Sequence, residues 1–256
     1  MRFGLIGEKL GHSHSKYIHE RMVDCEYEMI PLSRDEFDVF MNEKNFTGIN
    51  VTIPYKEKVI PYLDDIDNLA KQIGAVNTIV NNKGKLKGYN TDFYGLLYLF
   101  RSNDIKVYNK KCLVLGNGGT SKTARAVLEE LKARDILFVS RKPVGENRIS
   151  YEECYDKHYD ADIIVNTTPV GMYPNIDASP LDLKSFTSCT EVVDVIFNPL
   201  ETKLTRQATN LGIKAVTGLP MLVAQAKQAE EYFRDIKLDD SLIDDISQEL
   251  ITILQP

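Results

Sequence analysis

Three short stretches set polar and charged side chains beside apolar runs. They are His12 to Ser15 (HSHS), Asn50 to Lys56 (NVTIPYK), and the pair GAVNTIV and GYNTD, which carry Asn77, Asn90, Thr91 and Asp92. Hydroxyls at Ser13, Ser15 and Thr52 could hold a carboxylate, while Asn77, Asp92 and Lys56 could bind the hydroxyls of a polyol. A small hydroxy acid needs both kinds of partner, and a few convergent polar groups fix its orientation in a pocket. Each residue also has a plainer role open to it. Ser13 could cap a helix starting nearby, Thr91 or Asp92 could cap the GLLYLF segment, and Lys56, in YKEK, could be a solvated lysine. Capping and binding are compatible. His12, His14 and His19 have no neighbouring cysteine and no H-E-x-x-H spacing, so no metal is expected.

A second kind of chemistry lies further along the chain. VLGNGGTSKTARAVL reads as a strand, a turn with Gly116, Gly118 and Gly119, and a helix. Glycines at such a turn let the backbone approach a pyrophosphate at a helix N-terminus, where free N–H groups and the helix dipole favour anions. Alone, G-x-G-G is a weak signal, shared with glycine-rich turns of other α/β proteins; its strand–turn–helix context strengthens it. Ser121 stands where the usual fingerprint has a third glycine. At the end of the next strand, LFVSRKPVGENR offers Ser140, Arg141 and Lys142, with Arg148 a little later, and no carboxylate for a ribose 2′-hydroxyl. A guanidinium there suits a 2′-phosphate, so NADP is favoured over NAD, with a solvated basic turn as the alternative.

These residues need elements to position them. Residues 3–6 form a short apolar run ending at Gly7, which predicts a buried strand; residues 11–15 read as a polar turn, and a helix is expected to follow through about Val23. Residues 27–30 read as a second strand, with Ser33 as N-cap of a helix carrying Phe37, Phe40 and Met41. A strand over 48–53 is stopped by Pro54, and strands over 76–80 and 85–88 flank the hairpin signal Asn-Asn-Lys-Gly. Asp92 opens a helix. From Lys111 the rhythm is regular: strands at 112–115, 136–139, 162–165, 191–196 and 213–216 alternate with crossover-length segments, which predicts a parallel sheet covered on both faces. Helices near 220–233 and 241–254 follow. The apolar stripe of the last, Leu242, Ile243, Ile246, Leu250 and Ile251, is the pattern of a core helix, with a dimer face as the other reading.

Composition narrows the function classes. The 256 residues are 43% hydrophobic and 27% charged, ordinary values for a globular protein large enough for one or two domains. A net charge of -6 argues against a general nucleic-acid or membrane-surface binder. Cys25, Cys112, Cys154 and Cys189 are scattered, as reduced thiols are, and the N-terminus lacks the apolar length of a signal peptide; a cytoplasmic protein is expected.

Taken together, these segments resemble the shikimate dehydrogenase family along essentially the whole chain. GHSHS, NVTIPYKE, GAVNTIV, GYNTD, GNGGTSK, VNTTPVGM, NPLETKL and GLPMLVAQA occur in the family's order at compatible spacing. The resemblance implies an α/β fold of two domains: a substrate domain over 1–91 plus 218–256, and a Rossmann-like parallel-sheet NADP domain over 92–217, with the active site in the cleft between them. It implies NADP-dependent reduction of 3-dehydroshikimate to shikimate on the route to chorismate, by a monomer or homodimer. By the same resemblance Lys56 and Asp92 are the catalytic pair, and Ser13 and Ser15 hold the substrate carboxylate. Thr52, Asn77 and Gln225 are further substrate contacts, with Asn50 and Thr91 close by. Gly116, Gly118, Gly119, Ser140, Arg141 and Lys142 bind the cofactor, and Thr167, Gly218 and Met221 lie along its nicotinamide side. This sequence departs from the family at Lys16, where proline is usual, at Ser140-Arg141-Lys142, where Asn-Arg-Thr is common, and at Phe197, often a tyrosine. An NAD-linked quinate dehydrogenase would carry an acidic residue after Val139, and a non-catalytic regulator on the same scaffold would be expected to have lost Lys56 or Asp92; neither feature is present.

Overall fold

The apolar run near the N-terminus becomes β1 (Phe3–Gly7), whose five residues are all buried, as suits a parallel strand covered on both faces. The computed structural model describes residues 2–11 and 13–255. These divide into two units, one of residues up to Gly95 with Val223–Ile246, the other of Leu96–Leu222 with Ser247 onward.

In the first unit α1 (Ser15–Met22) leads to β2 (Tyr27–Pro31), and α2 (Arg34–Glu43) to β3 (Gly48–Val51). Both strands run parallel to β1, one on each side of it. The expected cap of α2 is present: Ser33 and Glu36 form a reciprocal capping box. After β4 (Asp65–Ile66) and α3 (Asn68–Ile73) come β5 (Thr78–Asn82) and β6 (Lys85–Tyr89), an antiparallel hairpin. Its two-residue loop, Lys83–Gly84, has φ of 52 and 87, the positive values that match the twist of the flanking strands. The sheet order is β2-β1-β3-β5-β6-β4.

One face of this sheet buries Ile6, Phe37, Met41, Ile49, Tyr55, Val76 and Ile79. On the other, Ala229 and Phe233 of α8 (Leu219–Arg234) pack with Phe3, Leu5 and Tyr27. Gly48 is required here, because the Phe233 ring occupies the space of a side chain: a Cβ would stand 2.3 Å from its Cδ1.

α4 (Asp92–Ser102) runs from the first unit into the second, which continues with β7 (Lys111–Leu115), α5 (Gly119–Glu130), β8 (Asp135–Val139), β9 (Arg148–Ile149), α6 (Tyr151–Lys157) and β10 (Ile163–Asn166). Then follow β11 (Glu191–Asp194), α7 (Lys203–Asn210) and β12 (Lys214–Thr217), and after α8 the chain ends in α9 (Ser241–Leu254). Every strand pair is parallel, in the order β12-β11-β10-β7-β8-β9. Counted from β7 this is 3-2-1-4-5-6 reversed end for end, the doubly wound arrangement with its switch point between β7 and β10. β11 stops at Asp194, short of the expected 196, because the Asp194 carboxylate takes the Ile196 N–H and turns the chain out of the ladder. β9 is too short for periodicity to reveal. Ile243, Ile246 and Leu250 of α9 are buried, as a core stripe predicts. Among the described residues no helix is long and apolar enough to cross a membrane.

Candidate active site

The topology of the first unit explains how residues far apart in sequence meet. β1, β3 and β6 point the same way and β5 runs against them, so the segments after Gly7, Val51 and Tyr89 and the one before Thr78 leave one edge of the sheet. Those segments carry Ser13 and Ser15, Thr52 and Lys56, Thr91 and Asp92, and Asn77 respectively. Ligands in open α/β sheets bind at such carboxyl ends of parallel strands.

Lys56 donates to Asp92 Oδ2 at 2.5 Å, with both side chains mostly shielded from solvent. Lys56 is therefore not the freely solvated lysine its YKEK context allows. Its neighbour Tyr55 anchors the segment, stacking on Phe37 with ring centroids 4.2 Å apart and donating to the Leu32 carbonyl at 2.7 Å. The Lys56 carbonyl accepts from Val76 N–H at 2.8 Å. Asp92 opens α4, so its carboxylate stands at a helix N-terminus, where negative charge is favoured.

Beside this pair runs a buried chain of amides and hydroxyls. Asn77 Nδ2 donates to Thr91 Oγ1 at 3.1 Å, and Asn77 Oδ1 accepts the Thr91 N–H at 2.6 Å. Thr91 Oγ1 also lies 3.4 Å from Gln225 Oε1. Asn50 Nδ2 donates to Thr78 Oγ1 and to the Asn77 carbonyl, and its Oδ1 accepts from the Tyr27 hydroxyl at 2.7 Å. Each amide is thus held in one orientation. Ser13 Oγ donates to Ser15 Oγ at 2.9 Å and accepts the Ser15 N–H at 3.2 Å, so Ser13 does serve the start of α1 as well. Thr52, a half-buried residue just past β3, bonds through its N–H to the Ile6 carbonyl at 2.9 Å.

His12 lies outside the described residues. His19 is fully buried and bonds through Nδ1 to Glu230 Oε1 at 2.6 Å, stacked on Tyr27. Burial pushes the Glu230 carboxyl up, but the contacts with His19 and Arg234 outweigh it and hold the group below the usual carboxylate range. Lys16, the residue in place of the family's proline, gives its ammonium to the Tyr27 carbonyl and to Glu20.

In the second unit the glycine turn follows β7. Gly116 has φ of 116, and a Cβ there would stand 2.7 Å from Thr167 Oγ1, so glycine is needed on both counts. Thr167 in turn donates to the Leu115 carbonyl at 2.6 Å, tying the end of β10 to that of β7 at the switch point. A Cβ on Gly118 or Gly119 would meet nothing within 4 Å, and Gly118 caps α5 with no side-chain bond. Open space over a helix start whose first N–H groups lack side-chain acceptors fits a pyrophosphate. Ser121, in place of the third glycine, is buried with its hydroxyl donated to the Gly118 carbonyl at 2.7 Å. At the end of β8, Ser140 is buried and its hydroxyl has no partner, a polar atom suited to a ligand. Arg141 and Lys142 are exposed. These residues fit a dinucleotide.

Gly218 has a packing reason of its own: a Cβ would fall 2.0 Å from the Val195 carbonyl oxygen. Met221 is buried in the first turns of α8. One group that sequence reasoning did not single out is Asp194, fully buried at the end of β11. Its Oδ1 accepts from Asn166 Nδ2 at 3.0 Å and from the Ile196 N–H, and its Oδ2 from the Thr202 hydroxyl at 2.8 Å. Burial pushes its carboxyl up to about 6. The signal available was a carboxylate closing the apolar run EVVD before a Thr N-cap.

A shielded lysine–aspartate pair beside buried amides and hydroxyls, in a chain that also carries a doubly wound parallel sheet, is the arrangement of a nucleotide-dependent oxidoreductase. A family profile described as the shikimate dehydrogenase substrate binding domain matches residues 5–79. A shikimate dehydrogenase (NADP(+)) of Clostridium perfringens is 42% identical over 265 residues, covering 97% of each chain. Among solved structures, shikimate dehydrogenase 1 from Peptoclostridium difficile superposes with a TM-score of 0.91 at 37% identity, covering 100% of both chains. The shikimate 5-dehydrogenase of Thermus thermophilus, in complex with NADP(H) and shikimate, gives 0.86 at 29% identity over 97% of this chain and 99% of that one. The chain belongs to the shikimate dehydrogenase family.

Proposed function

We propose that this protein catalyses the reversible, NADP-dependent reduction of 3-dehydroshikimate to shikimate, a step towards chorismate and the aromatic amino acids. The observation that carries this reading is the shielded contact between Lys56 and Asp92 at the strand ends of the first unit. That unit is assigned the substrate and the second the nucleotide.

When bound, NADPH supplies hydride to the ketone carbon. As charge grows on the ketone oxygen, the Lys56 ammonium stabilises it and releases a proton to it; in the reverse direction the amine takes that proton back. Asp92 holds Lys56 in place through Oδ2 and offers its second oxygen to a substrate hydroxyl. The Asn77 amide, fixed by Thr91 and Thr78, and the Gln225 amide orient the ring hydroxyls. Ser13, Ser15 and Thr52 hold the carboxylate, which stays ionised and remote from the reacting carbon. In the second unit Gly116, Gly118 and Gly119 receive the pyrophosphate, Ser140, Arg141 and Lys142 the adenosine side, and Thr167, Gly218 and Met221 the nicotinamide side.

Lys56→Met tests the proposal. Turnover should fall by ~10²–10⁴-fold, while the affinity for NADP+ stays as in the wild type. Near-normal turnover would remove Lys56 from the chemistry.

A further inference from the structure

The side chain of Arg148 is set in place before any nucleotide arrives. In the register of β8 with β9, Arg148 stands opposite Phe138, two positions before Ser140. Its guanidinium carbon lies 5.1 Å from the centre of the Phe138 ring. Its stem runs along Gly145, where a Cβ would make ordinary contact at 3.6 Å from Cδ and 3.7 Å from Nε. Its Nη1 donates to Asn117 Oδ1, in the glycine turn itself. Arg148 therefore bridges the ends of β7 and β8, the two strands whose ends flank the adenosine ribose in doubly wound sheets.

Its charge is not spent. Among the described residues the guanidinium forms no ion pair with a carboxylate, and only one of its N–H groups is bonded. A second, independent feature points to a ligand at the same place: the Ser140 hydroxyl, 9% exposed and without a partner. Arg141 and Lys142 differ from Arg148 in being exposed. An exposed side chain loses rotamer freedom when it grips a ligand and acts through high dielectric, whereas a braced, half-buried guanidinium has already lost that freedom.

We infer that Arg148, braced by Phe138, Gly145 and Asn117, is a principal residue selecting the ribose 2′-phosphate of NADP, with Ser140 completing that subsite. The inference rests on the NADP reading above and deepens it. The free fork of the guanidinium suits a phosphate dianion, which accepts two parallel N–H bonds.

Dissociation constants of the full chain for NADP+ and NAD+, measured by titration calorimetry, provide the test. Arg148→Met should weaken NADP+ binding roughly ten- to a hundred-fold and leave NAD+ binding unchanged. Arg148→Lys keeps the charge and loses the fork, so it should lose NADP+ affinity by a smaller factor; it also serves if the methionine variant does not fold. Equal weakening for both nucleotides would mean that Arg148 only braces the glycine turn or covers the adenine, and would overturn the inference. Unchanged NADP+ affinity in both variants would overturn it as well, with the cofactor reading intact. A wild-type chain that binds NAD+ as tightly as NADP+ would instead overturn the cofactor reading, and this inference with it.

Discussion

The Ser13–Ser15 pair shows how a residue at a helix start can serve the fold and still present a hydroxyl to a ligand. Ser13 accepts the first N–H of α1 and also donates to Ser15, so the two hydroxyls are held side by side with acceptor and donor capacity left over. If they grip the substrate carboxylate away from the reacting carbon, their loss weakens ground state and transition state alike. Ser13→Ala and Ser15→Ala should each raise KM for shikimate roughly ten- to a hundred-fold, the worth of a hydrogen bond to a charged group, with kcat nearly unchanged. Steady-state kinetics reads this, and a fall in kcat at constant KM would place the serines in the chemistry instead. At this scale the sequence located polar residues that the fold brings to neighbouring strand ends, as at Thr52, Asn77 and Asp92. It was silent about orientation. Nothing in NVTIPYK shows that Asn50 is locked by the Tyr27 hydroxyl, because that partner lies on another strand.

Elements place these groups, and the ends of strands carry the most constrained chemistry. Asn166 closes β10, Asp194 closes β11 and Thr202 caps α7; their mutual hydrogen bonds set the loops over 167–171 and 195–201. With its carboxyl pushed up to about 6, folded Asp194 holds a proton at pH values where the unfolded chain has released it. Its contribution to stability therefore falls as pH rises from about 4 to about 6 and is level above that. Asp194→Asn removes this titration. The stability gap between wild type and variant should shift by roughly 2 kcal/mol, the wild type gaining on the variant as pH is lowered from about 7 to about 4. Denaturant unfolding at both pH values measures the shift; a constant gap would show that Asp194 has an ordinary carboxylate affinity for protons. The longer elements were legible because apolar periodicity and turn chemistry agreed, as in the Ser33 capping box and the Lys83–Gly84 turn. β9 was not, since two residues carry no period, and yet it holds Arg148 in place.

At the scale of the whole molecule, one chain carries two sheets of different kinds. The change of rhythm near Lys111 marks the all-parallel sheet, while the antiparallel hairpin of β5 and β6 sets the first sheet apart. The grouping of the C-terminal helices was less legible. α8 and α9 are amphipathic, and a stripe of apolar residues does not say which sheet it covers; contact alone assigns Val223–Ile246 to the first unit and Ser247 onward to the second. The four cysteines take no part in the proposed chemistry. Burial pushes the thiols of Cys112 and Cys154 up to about 12 and that of Cys189 to about 11, which leaves them inert as nucleophiles. The central claim joins a hydroxy-acid site on one sheet to a 2′-phosphate-selective nucleotide site on the other, and both halves are read in a single assay. Purified protein is offered shikimate or quinate, each with NADP+ or NAD+, and nucleotide reduction is followed by absorbance. The account predicts fast reduction of NADP+ with shikimate and little with any other pair. Equal efficiency with quinate or NAD+, or binding of NADP+ without turnover of any pair, would contradict it.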